Sequence, residues 1–198
     1  MGATRQRRFT RTVLMAATAA LAVASLSACE PTYTVKDTEV SLAIPCGGTT
    51  NVDARWAFPE NTTPTGLIWL QHGFARSNDN VADLMRRYAA RGYVVVNPSF
   101  SGFGTCAINA AALHTAVASV IAGSPSPTSA LQVSANAARS NLGLPALTLP
   151  TKIVLSGHSA GGAAMTAVGG ALISNPDPAV SGRLKGIVLL DPVENADN

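Results

Sequence analysis

Charge is scarce in this chain. Only 13% of its 198 residues are Asp, Glu, Lys or Arg, while 47% are hydrophobic. No stretch pairs low hydrophobicity with high net charge, which excludes general disorder. The formal charge of +3 misleads, because Arg5, Arg7, Arg8 and Arg11 all fall in a leading segment that holds no acidic residue. Beyond that segment ten basic side chains face eleven acidic ones, a net charge of −1. Phosphate backbones are held by clustered basic surface, so nucleic acid is not an expected partner. Long apolar runs are also missing: Val13–Leu26 falls short of the ~20 residues that a bilayer-spanning helix needs. Cysteine and histidine are limited to three each, with no Cys/His spacing of the kind that holds zinc, so neither metal nor cofactor is expected.

What is present begins with an export signal. A basic start, the apolar run Val13–Leu26 and a cluster of small residues have that layout. Leu26-Ser27-Ala28-Cys29 resembles the bacterial lipobox, which implies lipidation of Cys29 and an exported protein anchored to a membrane of the cell envelope. Leu26 favours this over ordinary cleavage, which wants a small residue three places before the cut; a plain secretory signal is the alternative. With Cys29 lipidated, Cys46 and Cys106 remain as a possible disulfide in an oxidising compartment. The organisation expected is a signal over residues 1–28, a tether over 29–39 and one folded domain over 40–198, a length suited to a single core.

Within that domain the periodicity changes once. Val40–Ile44 and Val52–Phe58 alternate apolar with polar residues across Cys46-Gly47-Gly48, the pattern of two antiparallel strands. After Pro64 the apolar runs become short and continuous: Leu67–Leu70, Tyr93–Val96, Ile153–Leu155 and Ile187–Leu190. Such runs suit strands buried on both faces of a parallel sheet. Helical spacing lies between them, over Val81–Ala89, Ile108–Ile121, about Ser129–Ser140 and Ala160–Ile173. The alternation predicts an α/β fold: a doubly wound, mostly parallel sheet with helices on both faces.

The chemistry concentrates in Gly157-His158-Ser159-Ala160-Gly161-Gly162. A G-x-S-x-G pattern is weak alone, but this one leaves an apolar strand and enters an alanine-rich helix. That is the setting in which a sharp turn lifts a serine hydroxyl above the sheet. Side chains at Gly157 and Gly161 would collide in such a turn, and the helix N-terminus aims amides at developing negative charge. An ordinary serine in a glycine-rich turn is the plainer reading.

These residues resemble the nucleophile elbow of the α/β-hydrolase superfamily. The resemblance makes Ser159 the nucleophile and the backbone N–H groups of Phe74 and Ala160 the oxyanion hole, Phe74 belonging to the His72-Gly73-Phe74 loop that ends an earlier strand. Phe74 would also wall an acyl or aryl pocket, and His72 would hold the loop rather than act as a base. A strand ending Asp191-Pro192-Val193 is similar to chlorophyllase-like and polyester-hydrolase-like serine esterases, in which Asp191 would orient the catalytic histidine; Glu194 is a weaker second candidate and Asp177 a solvated loop residue. The family order is Ser, acid, His, yet no histidine follows Asp191. Two further family strands are also unaccounted for, which implies an incomplete hydrolase domain with impaired triad catalysis. The expected substrate is a small or polymeric carboxylic ester. The rival expectation is a non-catalytic lipid-anchored protein that uses the fold to bind an apolar ligand or partner.

Overall fold

Alternation across Cys46-Gly47-Gly48 produces a long hairpin. The computed structural model describes residues 32–193; the signal, Cys29 and Glu194 lie outside the described residues. Strands β1 (Val35–Ile44) and β2 (Thr50–Pro59) pair antiparallel, from Val35 opposite Pro59 to Ile44 opposite Thr50. Both run past the expected limits, because polar residues such as Lys36, Asp37 and Thr38 continue the ladder with their backbones.

The continuous apolar runs form β3 (Gly66–Gln71), β4 (Tyr93–Pro98), β5 (Ile153–His158) and β6 (Leu184–Leu190). All six strands make one sheet in the order β1-β2-β4-β3-β5-β6. Strand β2 runs antiparallel to β4, and the four strands from β4 to β6 are mutually parallel. Between them lie α1 (Ala82–Ala89), α2 (Ala111–Gly123), α3 (Ala130–Asn141), α4 (Ala160–Ile173) and the single turn α5 (Pro178–Ser181). Helix α2 starts three residues later than the periodicity suggests. The Ile108 N–H is committed to the Ser101 carbonyl at 2.9 Å, and Cys106 is bridged to Cys46, so this stretch stays a loop.

Apolar residues occur consecutively in the inner strands because each strand serves two cores. Trp56, Leu67, Trp69, Val94, Val96, Ile153 and Leu155 point to one face, where α2, α3 and α4 supply Leu113, Val117, Leu131, Ala164 and Val168. Ile68, Leu70 and Val95 point to the other, under Met85 and Ala89 of α1. Strand β6 departs from the expectation of burial on both faces: Val188 and Leu189 are 40% and 42% exposed. It is the last strand of the sheet, and among the described residues no strand pairs with its outer edge.

The end of the sheet remote from Ser159 is closed by a buried cation. Arg183, just ahead of β6, donates to the carbonyls of Thr151, Ile121 and Ala122 and to Ser124 Oγ at 2.6–3.1 Å. The guanidinium thus satisfies carbonyls left over at the C-terminal end of α2, where a positive charge is favourable. Burial holds its pKa below the ordinary arginine value.

Candidate active site

Strand β5 hands the chain to α4 through one strained residue. Ser159 has φ 54° and ψ −125°, a conformation that costs a non-glycine residue roughly 1–3 kcal/mol and needs support from its surroundings. That support is visible. The Ser159 N–H donates to the Leu190 carbonyl at 3.0 Å, and the Ser159 carbonyl accepts from Gly162 at 2.8 Å, Ala163 at 3.3 Å and Val193 at 3.4 Å. Helix α4 and the end of β6 therefore grip the elbow from two sides. The residue remains partly exposed.

Glycine is required at both flanking positions. A Cβ on Gly157 would run into the backbone of Gly161, and one on Gly161 would strike the carbonyls of His72 and Gln71. Helix α4 thus enters against bare backbone, and the β3 loop lies beside the serine. A Cβ placed on Gly73 would stand 3.1 Å from Ser159 Cβ and 3.3 Å from His158 Nδ1. The ring of His158 therefore lies over this loop.

Phe74 and Ala160, the expected amide donors, flank this point: Phe74 follows Gly73, and Ala160 opens α4. Among the described residues no hydrogen bond occupies either backbone N–H. His72 is fully buried and braces the loop from below. Its Nε2 accepts the Phe100 N–H at 2.9 Å, so Nδ1 carries the proton and donates to the Gly73 carbonyl at 2.7 Å. Burial lowers its pKa from 6.5, partly opposed by the Gly73 bond. This neutral tautomer is spoken for at both nitrogens. His114 is also buried, with Nε2 bonded to the Ile108 carbonyl at 2.8 Å.

A pH dependence follows from His72. Its depressed folded pKa means that the unfolded chain takes up a proton first as the pH falls. The stability contributed by the neutral ring is complete above 6.5 and is lost as the pH falls through the depressed folded value, at no more than about 1.4 kcal/mol per pH unit. Urea unfolding between pH 7.5 and 5 is expected to show this decline in the wild type and a shallower one in His72→Asn. Equal slopes would show that another group controls the response.

Asp191 lies at the carboxyl end of β6 with φ 47°, a conformation that Asp tolerates better than most residues. It sits between Leu190 and Val193, whose backbones bond Ser159, and Pro192 packs on Gly162. Among the described residues its exposed carboxylate has no hydrogen-bond or ion-pair partner. Asp177, by contrast, caps α5 by accepting from the Ala179 N–H at 2.8 Å. Cys46 and Cys106 are joined as a disulfide, with Cα atoms 5.9 Å apart. It ties the hairpin turn to the loop between β4 and α2, the same loop that His72 holds at Phe100.

Two contributors escaped the sequence reading. The backbone grip of Leu190 and Val193 leaves no side-chain signature. Phe103 does: an aromatic residue between Gly102 and Gly104 has no helix or strand to bury it. Elsewhere an open depression of about 310 Å³ lies between the hairpin and the start of α3, lined by Ala43, Pro45, Val120 and Ala130 among others. No titratable side chain lines it and it shares no residue with the elbow, so it does not rival Ser159. No group of His, Cys, Asp and Glu among the described residues could hold a metal ion, and no described helix is long and apolar enough to cross a membrane.

The chain matches the family model described as "Alpha/beta hydrolase family" over residues 65–198. Its fold is similar to the crystal structure of a protein from Legionella pneumophila whose name presents it as a candidate hydrolase. The TM-score is 0.55 at 16% identity, over 82% of this chain and 44% of that one. The present chain therefore spans less than half the length of that structure. No curated protein matches it in sequence.

Proposed function

Taking as premise that this chain belongs to the α/β-hydrolase family, we propose that it is a serine hydrolase of carboxylic esters that works through an acyl-enzyme. The observation that carries this reading is the strained φ of 54° at Ser159, held by bonds from α4 and β6 beside two unoccupied amides. Backbone strain persists at a serine only where the surroundings impose it, which supports a nucleophilic role for Ser159 beside the loop and helix that carry the Phe74 and Ala160 N–H groups. Ser159 Oγ attacks the acyl carbon, the carbonyl oxygen becomes an oxyanion between those amides, and the alcohol departs; water then releases the acid. Each amide contributes on the order of 3 kcal/mol to the transition state.

The proton from Ser159 needs an acceptor. His72 and His114 are committed elsewhere, His158 precedes the nucleophile in the chain with its ring against Gly73, and none of the three follows Asp191 as the family order requires. Asp191, exposed and without a side-chain partner among the described residues, is suited to orient an imidazole. Turnover by these 198 residues alone is therefore expected to be slow, and the decisive test reads the competence of the serine. A fluorophosphonate should label the folded protein slowly, and faster when free imidazole is added as the proton acceptor, and Ser159→Ala should abolish labelling. A folded sample that takes no label would instead support the non-catalytic ligand-binding reading. We further propose export and lipid anchoring at Cys29, supported by the lipobox resemblance; mass spectrometry of the mature N-terminus tests it.

A further inference from the structure

The exposed aromatic side chains of the described chain lie in one place. Both tryptophans are fully buried, and Phe58 and Phe100 are buried as well, whereas Phe74 and Phe103 are 42% and 76% exposed. Their ring centroids are 5.3 Å apart, with the planes at 78°. The ring of Phe74 lies over Gly102, where a Cβ would stand 3.0 Å from Cε2, and the preceding Gly73 borders Ser159. Ser159, Gly73, Phe74, Gly102 and Phe103 thus form one continuous line from the nucleophile outward.

Phe103 is held in the open by its backbone. Its N–H donates to Ser101 Oγ at 3.0 Å, and the Ser101 carbonyl accepts from Ile108 at 2.9 Å. His72 fixes the start of the loop at Phe100, and the disulfide fixes its end at Cys106. The ring is therefore presented at the apex of an anchored loop. Two rings meeting edge to face leave a corner that offers one face and one edge, and a third aromatic ring can meet both in favourable geometry. An alkyl chain gains only the area it buries.

Resting on the serine-hydrolase reading, we infer that Phe103 is a specificity-determining residue. With Phe74 it forms a corner that receives an aromatic ring of the ester while the acyl carbon reaches Ser159. Phe103 takes no part in the bond-making step, so its effect is confined to discrimination. An added aromatic contact of this kind corresponds to a preference of up to about tenfold.

The test compares phosphonylation rates at Ser159 for three fluorophosphonates carrying a benzyl, an ethyl or a hexyl group. Benzyl is expected to react several-fold to tenfold faster than ethyl in the wild type. Phe103→Ala should largely remove that ratio, and Phe103→Tyr should keep it. An unchanged ratio in Phe103→Ala, or hexyl outpacing benzyl, overturns the inference while leaving the hydrolase reading intact. No labelling by any of the three overturns both.

Discussion

Gly161→Ala is expected to cost about 3 kcal/mol of stability and to slow fluorophosphonate labelling of Ser159 at least a hundredfold, because misplacing reacting groups by about 1 Å has that effect. The added methyl would meet the carbonyls of His72 and Gln71, both backbone. Gln71 is also paired with Gly157 across the β3–β5 ladder, so no flexible side chain can yield. Helix α4 would have to withdraw from β3, taking the Ala160 amide away from the serine. Gly170 in the same helix supplies the control, since a Cβ there meets nothing within 4 Å. Gly170→Ala should leave labelling unchanged and stabilise the helix by roughly 0.5–1 kcal/mol. Chemical denaturation and labelling rates on the two variants check the contrast; similar behaviour in both would mean that α4 does not depend on bare backbone at its start.

The second large effect concerns the disulfide. Cys46 and Cys106 are 60 residues apart in sequence, and closing a loop of that length restricts the unfolded chain by about 4 kcal/mol on the entropic account. Cys46→Ala with Cys106→Ala, or reduction of the native protein, is expected to lower Tm by roughly 10 °C. The benzyl preference should fall as well, since the loop bearing Phe103 loses its second anchor. A double variant that melts within 2 °C of the wild type, by the same order-of-magnitude scale, would show that the β4–α2 loop is held by its hydrogen bonds alone.

Much of this architecture was legible in the residues themselves. The continuous runs Leu67–Leu70 and Tyr93–Val96 signal strands covered on both faces, and their side chains divide between the two cores in alternation. Strand β6 carries a similar run, and the two family strands expected beyond it would cover the edge that no strand pairs with among the described residues. The elbow was legible for a different reason: sterics admit only glycine at positions 157 and 161. Sequence said less about what holds the elbow. The bonds to Leu190, Gly162, Ala163 and Val193 are all made by the backbone, so they leave almost no mark on residue identity beyond excluding proline at the three donors. His72 was expected to hold its loop, but its tautomer depends on the Phe100 amide, 28 residues away.

The anchor at the opposite end of the sheet gives this molecule an uneven response to acid. Arg183 rests on carbonyl dipoles and one hydroxyl, with no carboxylate among its partners. Nothing in that knot gains a proton as a solution is acidified, whereas the ring beneath Gly73 takes one up once the pH falls through its depressed pKa. Acid should therefore loosen the rim that carries Ser159 while the foot of the barrel-less sheet keeps its shape, so that the protein would forfeit its chemistry before it forfeits its fold.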